Sequence, residues 1–261
     1  METISHENGK PAEKIKPLYR GVWADQLYSD QELPVGGSVF SSELTTKLEL
    51  DFDTFEDQTK GFTSENLKNI YQQSEDSIKD WLQKIGSNLD PYTYFVCFQI
   101  QQKSDKLLQV DSHNPTKSID RQKIYQKKIT PNLSDLVGKS ECSERAALGQ
   151  YLFQKIGIDS AYVSGITMED IQDTDEYPQD HSFIVLKNQG EDKSTLIFDI
   201  ARPHHQHNLP RILKTDIPFT HQILQNKEEL LIGATEVLQG GQLYFGVGDP
   251  IAGFHKTLPQ K

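Results

Sequence analysis

The chain has 261 residues, 35% hydrophobic and 25% charged, enough for one large domain with a real core and polar loops. Lysine and arginine number 27 against 38 aspartates and glutamates, so the net charge is −11 and no basic face is in prospect for nucleic acid or an anionic membrane. Two cysteines, Cys97 and Cys142, cannot build a disulfide framework, and no apolar run approaches the roughly 18 residues of a membrane span.

Residues 1–17 are rich in lysine, glutamate and asparagine and read as a flexible arm without the apolar core of a secretory signal. That pattern points to the cytoplasm, or to export into a host or target cell without a cleavable signal peptide. Residues 18–261 read as a single domain with an elaborated N-terminal half and a core over residues 131–250. The first ordered segment is expected at residues 18–23. Pro34 and the pair Gly36-Gly37 mark a turn with a short strand after it, and Leu48-Glu49-Leu50-Asp51-Phe52 alternates as a half-buried strand does. A helix is predicted from Thr63 or Ser64 to Ile85, with Ser64 as N-cap and Leu67, Ile70, Tyr71, Ile78, Trp81, Leu82 and Ile85 along its apolar face. Gly86 and Pro91 end it. The aromatic and β-branched run from Tyr92 to Ile100 reads as a strand with Cys97 in its middle, a small buried apolar side chain. Residues 104–130 are polar and read as a hairpin or a mobile excursion.

The second half is more informative. Residues 131–138 lead into a helix that begins near Cys142, with Ser140 as its expected N-cap. Ala146, Ala147, Leu148, Tyr151, Leu152, Phe153 and Ile156 give it an apolar face too wide for a surface helix, and Gly157 stops it. Two strands follow an acidic loop, Asp180-His181-Ser182-Phe183-Ile184-Val185-Leu186 and Leu196-Ile197-Phe198-Asp199-Ile200. Further strands are expected at Leu230-Leu231-Ile232 and Gln242-Leu243-Tyr244-Phe245, with a turn at Gly240-Gly241.

Cys142 falls in a first helical turn, where unpaired N–H groups and the helix dipole favour an anion and lower a thiol pKa. Glu141 and Glu144 share that turn and oppose the effect if they point at the sulfur. His181 opens a strand, where a side chain is held rigidly. Asp199 is the polar residue within an apolar strand, and a buried carboxylate there needs a hydrogen bond that an imidazole N–H can supply. A thiol, an imidazole and a carboxylate in this order are the parts of an activated nucleophile. Asp180 and Asp192 are loop alternatives to Asp199. His204, His205 and His207 lie between Pro203 and Pro210 without matching cysteine or carboxylate spacing, so they read as a polar loop and no metal or cofactor is expected. Trp81 reads as core.

These residues resemble the core of the transglutaminase-like branch of the papain-like cysteine protease superfamily. The resemblance rests on Cys142 at a helix start, Ala146-Ala147-Leu148, Ile156-Gly157-Ile158, Tyr162-Val163-Ser164-Gly165, His181 and Asp199, about a quarter of the chain. It departs at Ser182-Phe183, where the family often has Ala-Trp after the histidine, and at Asp199-Ile200, where it often has Asp-Pro. The resemblance implies an α+β fold in which a central buried helix carries the cysteine and packs on an antiparallel sheet carrying the histidine and aspartate. It also implies a catalytic domain with a Cys142-His181-Asp199 triad, acting as a glutamine deamidase or transglutaminase on a protein substrate. A thiol protease or a catalytically inactive binding module is the alternative on the same fold. Bacterial effectors that modify glutamine side chains of host proteins share this core.

Overall fold

The computed structural model describes residues 22–24, 32–35, 46–84, 87, 89–110, 115–127, 130–168, 179–187, 189–191, 195–204, 209–215 and 243–245. They form an α+β structure. Its main sheet is antiparallel, with strands β1 (Val22–Ala24), β4 (Ser160–Met168), β5 (Gln179–Lys187), β6 (Thr195–His204) and β7 (Leu209–Thr215) in that spatial order. A short strand β8 (Leu243–Phe245) shares the far edge of β4 with β1, pairing residues 166–168 while β1 pairs residues 162–164. Strands β2 (Glu32–Val35) and β3 (Thr46–Glu49) make a separate antiparallel pair. The helices are α1 (Asp53–Thr59), α2 (Ser64–Lys84), α3 (Pro91–Leu107), α4 (Lys117–Lys127) and α5 (Cys142–Lys155), with a 3-10 turn at Leu133–Leu136. Among the described residues no helix is long and apolar enough to cross a membrane.

Helix α5 is the centre of the packing. It lies on β4, β5 and β6 and against α3, and ten of its residues, from Ser143 to Gln150 with Leu152 and Phe153, are buried. Ile184 and Leu186 of β5 and Leu196, Phe198 and Ile200 of β6 occupy alternating positions and join Ala146, Leu148, Leu152 and Phe153 in one core. Gly149 allows the close approach. A β-carbon there would stand 2.8 Å from Ile184 Cδ1 and 2.9 Å from Ile200 Cδ1. The helix ends as its sequence requires: Gly157 is left-handed (φ 74°), its N–H bonds Gln154 O, and the Ile158 N–H reaches Phe153 O, the paired bonds of a Schellman motif.

Several expectations need correction. The segment from Tyr92 to Ile100 is helical, within α3. Its aromatic and β-branched content suits a strand, but Asp90 caps it by accepting from the Thr93 N–H at 2.8 Å, with Pro91 at the first helical positions. Thr93, Val96, Cys97, Ile100, Gln101, Ser104 and Leu107 are buried at helical spacing, and tertiary packing overrides the strand propensity. Residues 104–130 are not a hairpin: α3 runs on to Leu107 and α4 follows. Thr63 rather than Ser64 caps α2, since its Oγ1 accepts from the Asn66 N–H at 3.2 Å. The alternation at Leu48 to Phe52 gives β3 only as far as Glu49, and α1 begins at Asp53. Strand β2 lies before Gly36-Gly37 and contains Pro34; the strand expected directly after that pair falls outside the described residues. The arm at 1–17, the Gly36-Gly37 and Gly240-Gly241 turns and Leu230-Leu231-Ile232 lie outside the described residues.

Gly149→Val is expected to lower the free energy of unfolding by about 1–3 kcal/mol, because the added methyls force Ile184 and Ile200 out of place in a packed interior. Urea unfolding followed by far-ultraviolet circular dichroism measures this. An unchanged midpoint would show that α5 does not seat tightly on the sheet.

Candidate functional site

Cys142 is the first residue of α5, and Glu141 rather than Ser140 is its N-cap. Glu141 has the extended backbone of a cap (φ −120°, ψ −153°), whereas Ser140 is buried before it. The Glu141 N–H, one of the donors a helix start leaves unpaired, donates to Glu144 Oε2 at 2.8 Å. Glu144 therefore folds back over the helix start.

His181 stands on β5 and Asp199 on β6. The registered pairing of these strands runs from Lys187↔Thr195 to Ile184↔Phe198. Three residues further along β5, His181 meets Asp199 through side chains: His181 Nε2 donates to Asp199 Oδ2 at 2.9 Å. Both are almost completely buried, at 3% and 0% exposure. Asp199 is itself held, because its Oδ1 accepts from the N–H groups of Ala201 (3.2 Å) and Arg202 (3.1 Å) where the pairing of β6 with β7 shifts register. The Ala201 carbonyl in turn accepts from Arg145 Nη1 at 3.0 Å. Arg145 Nη2 pairs with Asp105 of α3 at 2.6 Å, so α5, α3 and the irregular stretch of β6 are joined behind the aspartate.

With Nε2 committed to Asp199, His181 hydrogen-bonds the Cys142 sulfur through its other ring nitrogen, and the Ser182 backbone N–H donates to the same sulfur. Burial pushes the Cys142 thiol up, but the His181 hydrogen bond and charge and the Ser182 N–H outweigh it, and the thiol ends below its ordinary value. Burial pushes His181 down, and the Asp199 carboxylate more than compensates, raising the imidazole to about 9. The two shifts act in the same sense, favouring the proton on the ring over the thiol. Ser182 also anchors the site: its hydroxyl lies 3.2 Å from Ser143 Oγ of α5 and 3.0 Å from Tyr162 Oη of β4.

The three residues singled out from the sequence thus converge. Asp180 is the residue before His181 on β5, and Asp192 lies outside the described residues. Trp81 is half-buried on α2, with Nε1 donating to Tyr94 Oη at 3.3 Å. His204 ends β6, while His205 and His207 lie outside the described residues; among the described residues no group of three His, Cys, Asp or Glu is arranged to hold a metal ion. Ser182, Ser143, Arg145 and Tyr162 were not legible as part of the site. Ser182 directly follows His181 and Ser143 directly follows Cys142, the signals that could have found them; Arg145 lies one position further along α5 than Glu144, and Tyr162 comes from β4. Cys97 is fully buried in α3, and burial alone raises its thiol far above the ordinary value. Comparison with protein-family models, with curated proteins and with solved structures finds no match for this chain.

An alkylating agent such as iodoacetamide is expected to modify Cys142 first at pH 7, with Cys97 reacting only on unfolding. Peptide mapping after brief exposure reads the order. Preferential modification of Cys97 in the folded protein would contradict the electrostatics described above.

Proposed function

We propose that the chain is a thiol acyl-transfer enzyme that acts on a carboxamide, with a protein glutamine side chain as the acyl donor, on a papain-like core of the transglutaminase-like branch. The observation that carries the reading is the hydrogen-bonded series Cys142, His181, Asp199, in which the thiol is lowered and the imidazole raised. A buried structural cysteine shows the opposite shift, as Cys97 does. The glutamine substrate rests on the resemblance of the sequence motifs to that branch, which includes transglutaminases and deamidases that act on such side chains as well as proteases and inactive members.

In this reading the Cys142 thiolate attacks the carboxamide carbon. Backbone N–H groups at the start of α5, that of Cys142 among them, stabilise the oxyanion. The His181 imidazolium then gives its proton to the departing nitrogen, ammonia leaves, and a thioester to Cys142 remains. Neutral His181 next takes a proton from water or from an amine, which resolves the thioester to glutamate or to a new amide. Asp199 keeps the Nε2 proton in place through the cycle, so the ring nitrogen facing sulfur is the one that exchanges protons.

Cys142→Ala and His181→Ala are each expected to reduce turnover by about three orders of magnitude or more while leaving the fold intact. Asp199→Ala is expected to lose activity and, by leaving the imidazole and two backbone N–H groups without an acceptor, about 1–3 kcal/mol of stability. Asp199→Asn should keep more of that stability, since its oxygen still accepts. Ammonia release together with intact mass of candidate substrate proteins distinguishes deamidation, transamidation and peptide cleavage. A Cys142→Ala variant that keeps the full biological effect would leave a binding module on this fold as the remaining reading.

The pH dependence follows from the two shifts. The working pair needs the thiol deprotonated and the imidazole protonated. Turnover should fall at acid pH as the lowered thiol takes its proton, and again as pH rises through about 9, where His181 loses its proton. An alkaline limb that begins near the ordinary histidine value would contradict the Asp199 contribution.

A further inference from the structure

Glu144 lies two residues beyond Cys142 in the first turn of α5 and is fully buried. A carboxylate in that position works against a neighbouring thiolate, and its charge does press the Cys142 thiol upward. Four donors surround it. Arg121 of α4 donates to Oε1 from Nε at 3.0 Å and from Nη2 at 2.7 Å. Tyr125 Oη of α4 donates to Oε1 at 2.8 Å, and the Glu141 N–H holds Oε2. Burial favours the neutral acid, but Arg121 and the other donors prevail and Glu144 stays ionised.

The remaining charges around this corner are few. Arg121 Nη1 stands 3.8 Å from Glu141 Oε2, and its guanidinium lies over the Tyr125 ring at 4.8 Å. Lys117 of α4 senses Glu141, Glu144, Arg145 and Arg121. Arg145 is turned toward Asp105 and Ala201. On the sheet side stand His181 of β5, Asp199 of β6 and Tyr162 of β4, whose phenol acts electrostatically on Tyr125. Helix α4 has no fully buried residue, yet it places a two-pronged cation on a carboxylate whose charge acts on the thiol.

We propose that Arg121 is a positioning residue of the thiol centre: by holding Glu144 as a capped, charge-balanced group it keeps the carboxylate's charge off the Cys142 sulfur. This rests on the reading of Cys142 as the nucleophile. It makes α4, a helix outside the core, part of what sets the reactivity of the thiol. A local perturbation of α4 then lowers reactivity without touching the three reacting side chains.

The test is the rate of Cys142 alkylation by iodoacetamide as a function of pH, with melting temperature in parallel, for the wild type, Arg121→Gln, Arg121→Lys, Glu144→Gln and the double variant Arg121→Gln/Glu144→Gln. Arg121→Gln should raise the midpoint of the profile by about one pH unit, so that alkylation well below it slows about tenfold. Glu144→Gln should lower the midpoint, and the double variant, which removes both charges, should return near the wild type. Arg121→Lys keeps the charge and should shift the midpoint less than Arg121→Gln; if Arg121→Gln does not fold, Arg121→Lys and the double variant carry the comparison. A double variant as impaired as Arg121→Gln, or a folded Arg121→Gln with an unchanged midpoint, would overturn the role of Arg121. A wild-type midpoint at the ordinary thiol value would instead overturn the reading of Cys142 itself, so the two failures are distinct.

Discussion

Helix α5 is buried on every side, and it begins with two adjacent buried charges. Glu144 and Arg145 are 0% and 6% exposed, and a buried charge left without a partner is destabilising by several kcal/mol. Each finds its partner on a different element. Glu144 takes Arg121 and Tyr125 from α4, and Arg145 takes Asp105 from α3 and the Ala201 carbonyl from β6. The start of α5 therefore cannot shift without disturbing three neighbours at once. The position of Cys142 follows from that constraint.

The opposite end of the helix is held by milder means. Phe52, just before α1, stacks on Tyr151 with ring centroids 4.1 Å apart. Tyr151 Oη and Lys155 Nζ both donate to Glu56 of α1, at 2.8 and 2.7 Å. Glu56 is largely exposed, so its ion pair with Lys155 is screened by water and contributes little. The apolar stack does more of the seating there. Ion pairs that matter for geometry are concentrated at the buried end, beside the thiol.

At the thiol itself opposing effects are of similar size, and the arrangement decides between them. Enclosure and the nearby Glu144 disfavour the thiolate. The imidazolium and the Ser182 N–H favour it, and the latter prevail. The imidazolium is favoured first by Asp199 and then by the Cys142 sulfur, and Asp199 is itself locked by its bonds to residues 201 and 202. Each group depends on the one behind it, so the chemistry proposed for Cys142 reaches back through His181 into the irregular stretch of β6.

Local rules account for much of this from the sequence. The wide apolar face of α5, its stop at Gly157, the β5 and β6 strands and the pairing of Cys142, His181 and Asp199 are legible because helix and strand periods are short-range and a polar residue in an apolar strand announces a need for a partner. Residues 91–107 are where those rules misled, since composition suited a strand and only packing against α2, α5 and β7, with Asp90 as cap, made the segment a helix. Residues 104–130 looked like an excursion because α4 has no fully buried residue and only Ile124 and Tyr125 packed partly against the core, too little for a readable apolar stripe. Its role is carried by Arg121 and Tyr125 reaching Glu144 across 23 and 19 residues of sequence. Charge pairing between separate elements has no period and leaves no local mark. Sequence alone thus determined which thiol, imidazole and carboxylate stand together, and the tertiary structure decided what surrounds them, because a charge is neutralised by what is near in space rather than in the chain.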